Sequence, residues 1–160
     1  MTPAAPLFIA SDAPLRASDA VAALLTLPDG RYVMQLRDAL PHIFYPDHWS
    51  CFGGGVEDGE DPLVALKREL DEELAIRPEF GAAAEFTRFD FDLTRVGQRR
   101  VYRIWYQVPL TFETFESAVL REGAAVRAFT AEEVLQLRLT PYDAFAIWLH
   151  VSRKRLERAG

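Results

Sequence analysis

Cysteine is nearly missing from this chain, with one in 160 residues. That excludes an internal disulfide framework and points to a reducing compartment, the cytoplasm. Histidine is scarce, at three residues; His42 and His48 share one loop, but no metal-ligand spacing joins them, and His150 reads as structural. No long apolar run exists either. The longest, Ala20 to Leu27, is far too short to span a bilayer, so no membrane partner is expected. The opening residues, Met1 to Pro6, lack both the basic and the apolar stretch of a signal peptide. Positive charge is in the minority, 18 basic against 24 acidic residues for a net charge of −6. A nucleic-acid polymer, which needs a basic footprint, is therefore not an expected partner. Internal repeats, low-complexity segments and long linkers are absent too.

What is there suits one soluble globular domain: 49% hydrophobic and 26% charged residues, with aromatics at 12% to fill a core. Residues 1–18, rich in Pro and Ala, read as an irregular lead-in to a single domain over 19–160. Ala20–Leu27 and Arg31–Arg37 flank Pro28-Asp29-Gly30, a strand–turn–strand signal. Residues 38–52 read as a long loop, of a length often tied to function. Asp61 and Pro62 open a helix as N-cap and first residue, running to about Ala75, because Pro78 bars continuation. Thr87–Thr94, Arg100–Val108 and Ala124–Phe129 read as strands. Thr130 to Glu133 is a capping box, and Thr140-Pro141 opens a final helix to about Leu156. The sum is α/β (α+β), a mixed sheet with two or three helices.

Carboxylates crowd residues 57–73. Leu63, Leu66, Leu70 and Leu74 make one apolar stripe on the helix. Glu69, Glu72 and Glu73 share a second face, about 110° round from it, at the rim of the helix–sheet contact. Like charges at that spacing destabilise a helix unless a cation offsets them. Mg²⁺, a hard ion that prefers oxygen ligands, is a fitting one. Arg68, four residues before Glu72, can orient that carboxylate. By themselves, three glutamates on a helix are most simply a solvated face.

The neighbourhood changes that weighting. Gly54, Glu60, Arg68, Glu69, Leu70, Glu72, Glu73 and Ile76 stand at the spacing G-x5-E-x7-R-E-U-x-E-E-x-G-U, U being aliphatic, which resembles the Nudix box. A chance match of this kind is on the order of one in a million. Ala75 departs from it, standing where the family has glycine; in a left-handed helix end this costs about 1 kcal/mol and touches no ligand.

The resemblance implies an α/β/α sandwich around a mixed β-sheet. It implies a Mg²⁺- or Mn²⁺-dependent hydrolase that cleaves the pyrophosphate linkage of a nucleoside triphosphate or a related nucleoside diphosphate derivative. By position, Glu69, Glu72, Glu73 and the Gly54 carbonyl are similar to the metal ligands. Arg68 is similar to the residue that holds the helix carboxylates, and Glu60 to a glutamate of structural role. Trp49 to Gly54 resembles the strand leading into the box, and Arg121-Glu122-Gly123 ahead of a strand resembles the late loop of mutator-type members, including those that clean up oxidised dGTP; Glu122 is then a fourth carboxylate and a candidate base, with Glu113 and Glu116 as rivals. The proline marking ADP-ribose hydrolases would fall where Asp90 stands.

For the nucleotide itself, Phe44 or Trp49 in the long loop and Tyr142 or Asp143 on the last helix are candidates to read the base, and Arg37 to reach phosphate or base. Arg99, Arg100 and Arg103 read as a solvated hairpin face. Two alternatives stand beside the hydrolase. A catalytically inactive Nudix-fold nucleotide-binding module usually loses box glutamates, and this chain keeps all of them. An isopentenyl diphosphate isomerase-like enzyme would use a cysteine, and Cys51 is at hand without that enzyme's other features. The sequence names neither base nor sugar, and it leaves the oligomeric state, a homodimer included, open.

Overall fold

A computed structural model of the chain describes residues 16–40 and 42–159. Its centre is Ala20–Thr26 (β1), a run of small and aliphatic side chains that suits a strand covered on both faces. Alternation divides that strand between two cores. Val21, Ala23 and Leu25 face Ala65, Leu66, Leu70 and Leu74 of a helix over Pro62–Leu74 (α1). Ala22 and Leu24 face Ala146 and Ile147 of a helix over Pro141–Glu157 (α4). One sheet thus lies between two helical layers.

The sheet is seven-stranded and mixed. Arg100–Pro109 (β6) runs parallel to β1 across seven Cα pairs, from Ala20↔Arg103 to Thr26↔Pro109. Tyr32–Leu36 (β2) and Phe52–Gly55 (β4) pair antiparallel with opposite ends of β1. Ala84–Asp92 (β5) pairs with β6, while Ala125–Phe129 (β7) and the two-residue Trp49–Ser50 (β3) pair with β2. Between β6 and β7 a short helix forms over Phe112–Glu116 (α2), and another over Ala131–Val134 (α3) follows β7.

Several boundaries differ from the sequence reading. The long loop ends before Trp49, because residues 49–50 and 52–55 pair into the sheet. β5 begins at Ala84, and α2, one turn capped by Thr111, was not foreseen. Of the expected lead-in 1–18, residues 1–15 lie outside the described residues. Thr140 precedes α4 but does not cap it through its side chain; its hydroxyl donates instead to Asp143 at 2.8 Å. The capping box Thr130/Glu133 forms at α3.

Asp61 caps α1 by accepting from the Leu63 and Val64 N–H groups, and Ala75 closes the helix in the left-handed region (φ 53, ψ 32). A Cβ there is strained, whereas glycine adopts that conformation freely. Ala75→Gly is expected to stabilise the fold by about 1 kcal/mol, or raise Tm by about 2–4 °C. A thermal melt that shows no rise would count against the strain.

Candidate active site

The meeting of β4 with α1 depends on two glycines. Gly53 has φ +139, and a Cβ on it would lie 2.2 Å from the Val21 carbonyl oxygen, so only glycine lets β4 lie this close to β1. Its N–H donates to Glu73 Oε2 at 2.9 Å. A Cβ on Gly54 would fall 2.5 Å from the carboxyl carbon of Glu69. The strand therefore makes room for two helix carboxylates against its own backbone. Glu73 is 7% exposed. The Glu69 side chain is 15% exposed and that of Glu72 53%, so Glu72 stands toward solvent.

Arg68 ties this corner together. Its Nε and Nη2 both donate to Glu60 at 3.0 Å, its Nη2 to the Gly55 carbonyl at 3.0 Å, and its Nη1 to Glu69 at 2.8 Å. The expected partner, Glu72, is the most distant at 3.4 Å. Arg68 thus orients Glu69 more than Glu72. Glu60 also accepts from the Glu57 N–H, and the Arg68 hydrogen bonds hold its carboxyl below the usual range.

Electrostatics single out three carboxylates. Burial is the main cause that pushes Glu73 up to about 8; repulsion from Glu69 and Glu122 adds to it, against the Gly53 hydrogen bond and Arg37. Burial likewise raises Glu69, with Arg68 opposing and with Glu72 and Glu122 adding. Glu69, Glu73 and Glu122 therefore converge in an electrostatic sense, and charge on all three needs a cation. Among the described residues, no group of three His, Cys, Asp or Glu side chains is placed to hold a metal ion by itself. The donors fit a hard ion that completes its shell with water and phosphate oxygens.

In metal-free protein the sign of the pH dependence follows. Native Glu73 keeps its proton to about pH 8, whereas an ordinary glutamate releases it near 4.5. The native state then binds more protons than the unfolded one across that interval, so stability falls as pH rises from about 5 to about 8. Melting in EDTA should track this fall, and Glu73→Gln should flatten it. A Tm that climbs with pH over the same interval would contradict the assignment.

Glu122 reaches this site from a loop pinned at several points. The Gln35 side chain donates to the Glu122 carbonyl at 2.8 Å, and the Arg121 N–H donates to the Glu73 carbonyl at 2.8 Å. Gly123 turns the chain at φ +94 against Gln35. A cavity of about 110 Å³ is lined by Glu73, Glu122, Arg37 and Asp38 among others. Glu113 and Glu116, on α2, are exposed and do not line it.

Arg37 also lines a second cavity, of about 410 Å³, together with Phe44, Tyr45, Tyr102, Arg103 and Tyr142. Phe44 and Tyr142, nominated from opposite ends of the sequence, do meet here. Two nominated residues stand elsewhere. Trp49 packs edge-on against Phe129 at 4.8 Å, partly buried at the margin of the core beneath α4. Asp143 is wholly buried, and it accepts from Trp105 Nε1 (2.8 Å), the Cys51 N–H (3.0 Å) and Thr140 (2.8 Å). Its carboxylate locks α4 onto the sheet and is closed to a ligand.

Tyr102 and Arg103 were missed. Arg103 is not a solvated hairpin residue: its side chain is 19% exposed, with its guanidinium 4.3 Å from the Tyr142 ring centre. Strand alternation carried the signal, since Arg103 lies two residues before Trp105 and shares its face toward α4. Cys51 is buried, and burial, then the nearby Asp143, pushes its thiol well above the ordinary range. It is no ready nucleophile.

The NUDIX domain model matches residues 16–149. A curated RNA pyrophosphohydrolase of Rhodopseudomonas palustris (strain BisB18) is 32% identical over 97 residues, 56% of this chain and 55% of that one. The chain thus spans about half the length of that curated relative. Among solved structures, the E. coli ORF135 protein superposes with a TM-score of 0.69 at 25% identity, covering 92% of this chain and 100% of that one. The MutT protein of Methanosarcina mazei Go1 does so with a TM-score of 0.65 at 18% identity, over 89% and 99%. The latter likeness is one of fold.

Proposed function

The chain belongs to the Nudix family by its match over residues 16–149, and from that premise we propose that it is a divalent-metal-dependent hydrolase of phosphoric anhydrides. Its substrate on this reading is a nucleoside triphosphate or a related nucleoside diphosphate derivative, oxidised dGTP included. A triphosphate is split to monophosphate and pyrophosphate. Residues 19–160 form the single Nudix unit, working in the cytoplasm. No helix among the described residues is long and apolar enough to cross a membrane.

One observation carries the reading. A carboxylate-lined cavity and an aromatic, arginine-bearing cavity share Arg37, so a polyphosphate at the first would lie beside a nucleoside in the second. Glu69, Glu72, Glu73 and the Gly54 carbonyl are the groups that would hold Mg²⁺ or Mn²⁺. Bound there, the ion neutralises phosphate oxygens and eases deprotonation of a water. Arg68 holds Glu69 in place and braces α1 on β4 through Glu60 and the Gly55 carbonyl. Glu122, across the cavity from the helix, takes the proton of the attacking water. Phe44 and Tyr142 flank the base, and Arg37 neutralises the phosphate next to the nucleoside.

The relative's name, RNA pyrophosphohydrolase, supports pyrophosphate chemistry. A net charge of −6 favours free nucleotides over a polymer. An inactive binding module is disfavoured by a complete carboxylate set, and an isomerase by the buried Cys51. The test is a screen of nucleoside triphosphates, nucleoside diphosphate derivatives and a 5′-triphosphorylated RNA with Mg²⁺, scored by released pyrophosphate and phosphate. Turnover of a mononucleotide that vanishes in EDTA is expected. No turnover of any, or turnover of the RNA alone, would overturn the proposal.

A further inference from the structure

One long edge of the sheet is bare. β5 ends the strand order, and among the described residues it pairs only with β6. It runs for nine residues, with a bulge between Glu85 and Thr87 and regular pairing from Thr87 to Asp92. A free edge of this length is a template for another strand, and chains commonly blunt one with repelling charges. β5 carries both signs instead. Arg88 donates to Asp90 on its own strand through Nε at 3.0 Å and Nη2 at 2.9 Å, and its guanidinium is held 4.2 Å over the Tyr102 ring. The other face of the strand is aromatic. Phe89 lies 4.8 Å from the Trp105 ring and 5.4 Å from that of Phe145 on α4. Phe145 stacks in turn on Trp148 at 6.0 Å, and both are about half exposed. Leu156 extends this uncovered stripe at helical spacing. An apolar patch beside an open strand edge marks a protein contact.

Charge selects the partner. A two-fold axis normal to the sheet keeps every side chain on its own face, so an antiparallel pair of β5 edges must set one residue opposite its own copy. Centred on Arg88 or Asp90, the pair would bring like charges together. Centred on Phe91, it would set Asp90 against Asp92. Centred on Phe89, it sets Arg88 opposite Asp90 of the second copy, twice. Each charge then has an opposite one beside it along the strand and another across the axis. We propose that two copies of this chain join through antiparallel β5 edges about a two-fold axis at Phe89, with the Phe145–Trp148 patches of both α4 helices meeting on one face of the joined sheet. The proposal is independent of the hydrolase reading.

Sedimentation velocity of the full chain, at concentrations up to about 100 µM, is expected to show a species of two chains' mass. Arg88→Asp alone, or Asp90→Arg alone, sets like charges across the axis and should weaken association at least about tenfold. The double exchange, Arg88→Asp with Asp90→Arg, restores the opposite pairs and should return association to within about threefold of wild type. Both residues are exposed, so the melting temperatures of these variants should stay near wild type and separate a lost contact from a lost fold. Trp148→Glu should also give monomers. Cysteine cross-linking reads the register, with the native Cys51 buried out of reach. Under mild oxidation, Arg88→Cys chains mixed with Asp90→Cys chains should form disulfide-linked pairs far more readily than either variant alone. A monomer at every concentration overturns the proposal. So does a dimer indifferent to the single reversals, a double exchange no better than the singles, or cross-linking by one cysteine variant alone as ready as by the mixture.

Discussion

Glu73→Gln is expected to lower kcat/KM by about 10²–10⁴-fold while the metal-free protein melts at or above the wild-type temperature. The opposite signs come from one cause. Glu73 is buried beside two other carboxylates, and burial raises its pKa to about 8. Above about pH 8, where metal-free Glu73 would be ionised, a neutral amide of the same shape relieves the repulsion from Glu69 and Glu122; below it the two side chains are alike in charge. The substituted oxygen still accepts from Gly53 N–H, which holds the side chain against β4 at 2.9 Å in the wild type. Yet the charge that attracts a divalent cation is gone, so the Mg²⁺ dependence should shift to higher concentrations. Melting curves with and without EDTA, alongside Mg²⁺ titrations of activity, read both effects. A variant of near-normal activity would remove Glu73 from the cation site.

For Glu122→Gln the expected loss is again about 10²–10⁴-fold, but in kcat with KM changing less. The loop around it does not depend on its side chain. Gln35 holds the Glu122 carbonyl, Gly123 supplies the turn, and the Arg121 N–H is anchored to Glu73. The substitution therefore tests the carboxylate alone. A variant within a few-fold of wild type would pass that role to Glu69.

Local chemistry made α1 legible. Asp61 with Pro62, the leucine stripe and the left-handed Ala75 are all features of adjacent residues, and the structure has each of them. Long-range cover was not legible. Tyr142 and Asp143 are neighbours on one helix turn, yet one lines a cavity and the other is sealed beneath Trp105 and Cys51. Arg103 reads as exposed from its charge alone, although strand alternation sets it on the face of Trp105. For Trp49 the strand reading of Trp49 to Gly54 holds over the loop reading, since residues 49–50 and 52–55 pair into the sheet. The α2 turn was missed because its five residues span little more than one helical repeat.

The parallel pairing of β1 with β6 has a consequence for how the chain can be divided. Their partners lie about 80 residues apart in sequence, and their seven-pair ladder is the middle of the sheet. Neither half of the chain owns that middle. A cut near Gly81 would leave β1, β4 and the whole of α1 in one piece, with β5, β6 and the Glu122 loop in the other. The first fragment would carry every helix carboxylate and the second the carboxylate that faces them. Each fragment alone would expose one edge of an unfinished sheet. Activity from such a pair would thus arise only by reassociation, in which the same act rebuilds the sheet and brings the two sets of carboxylates together.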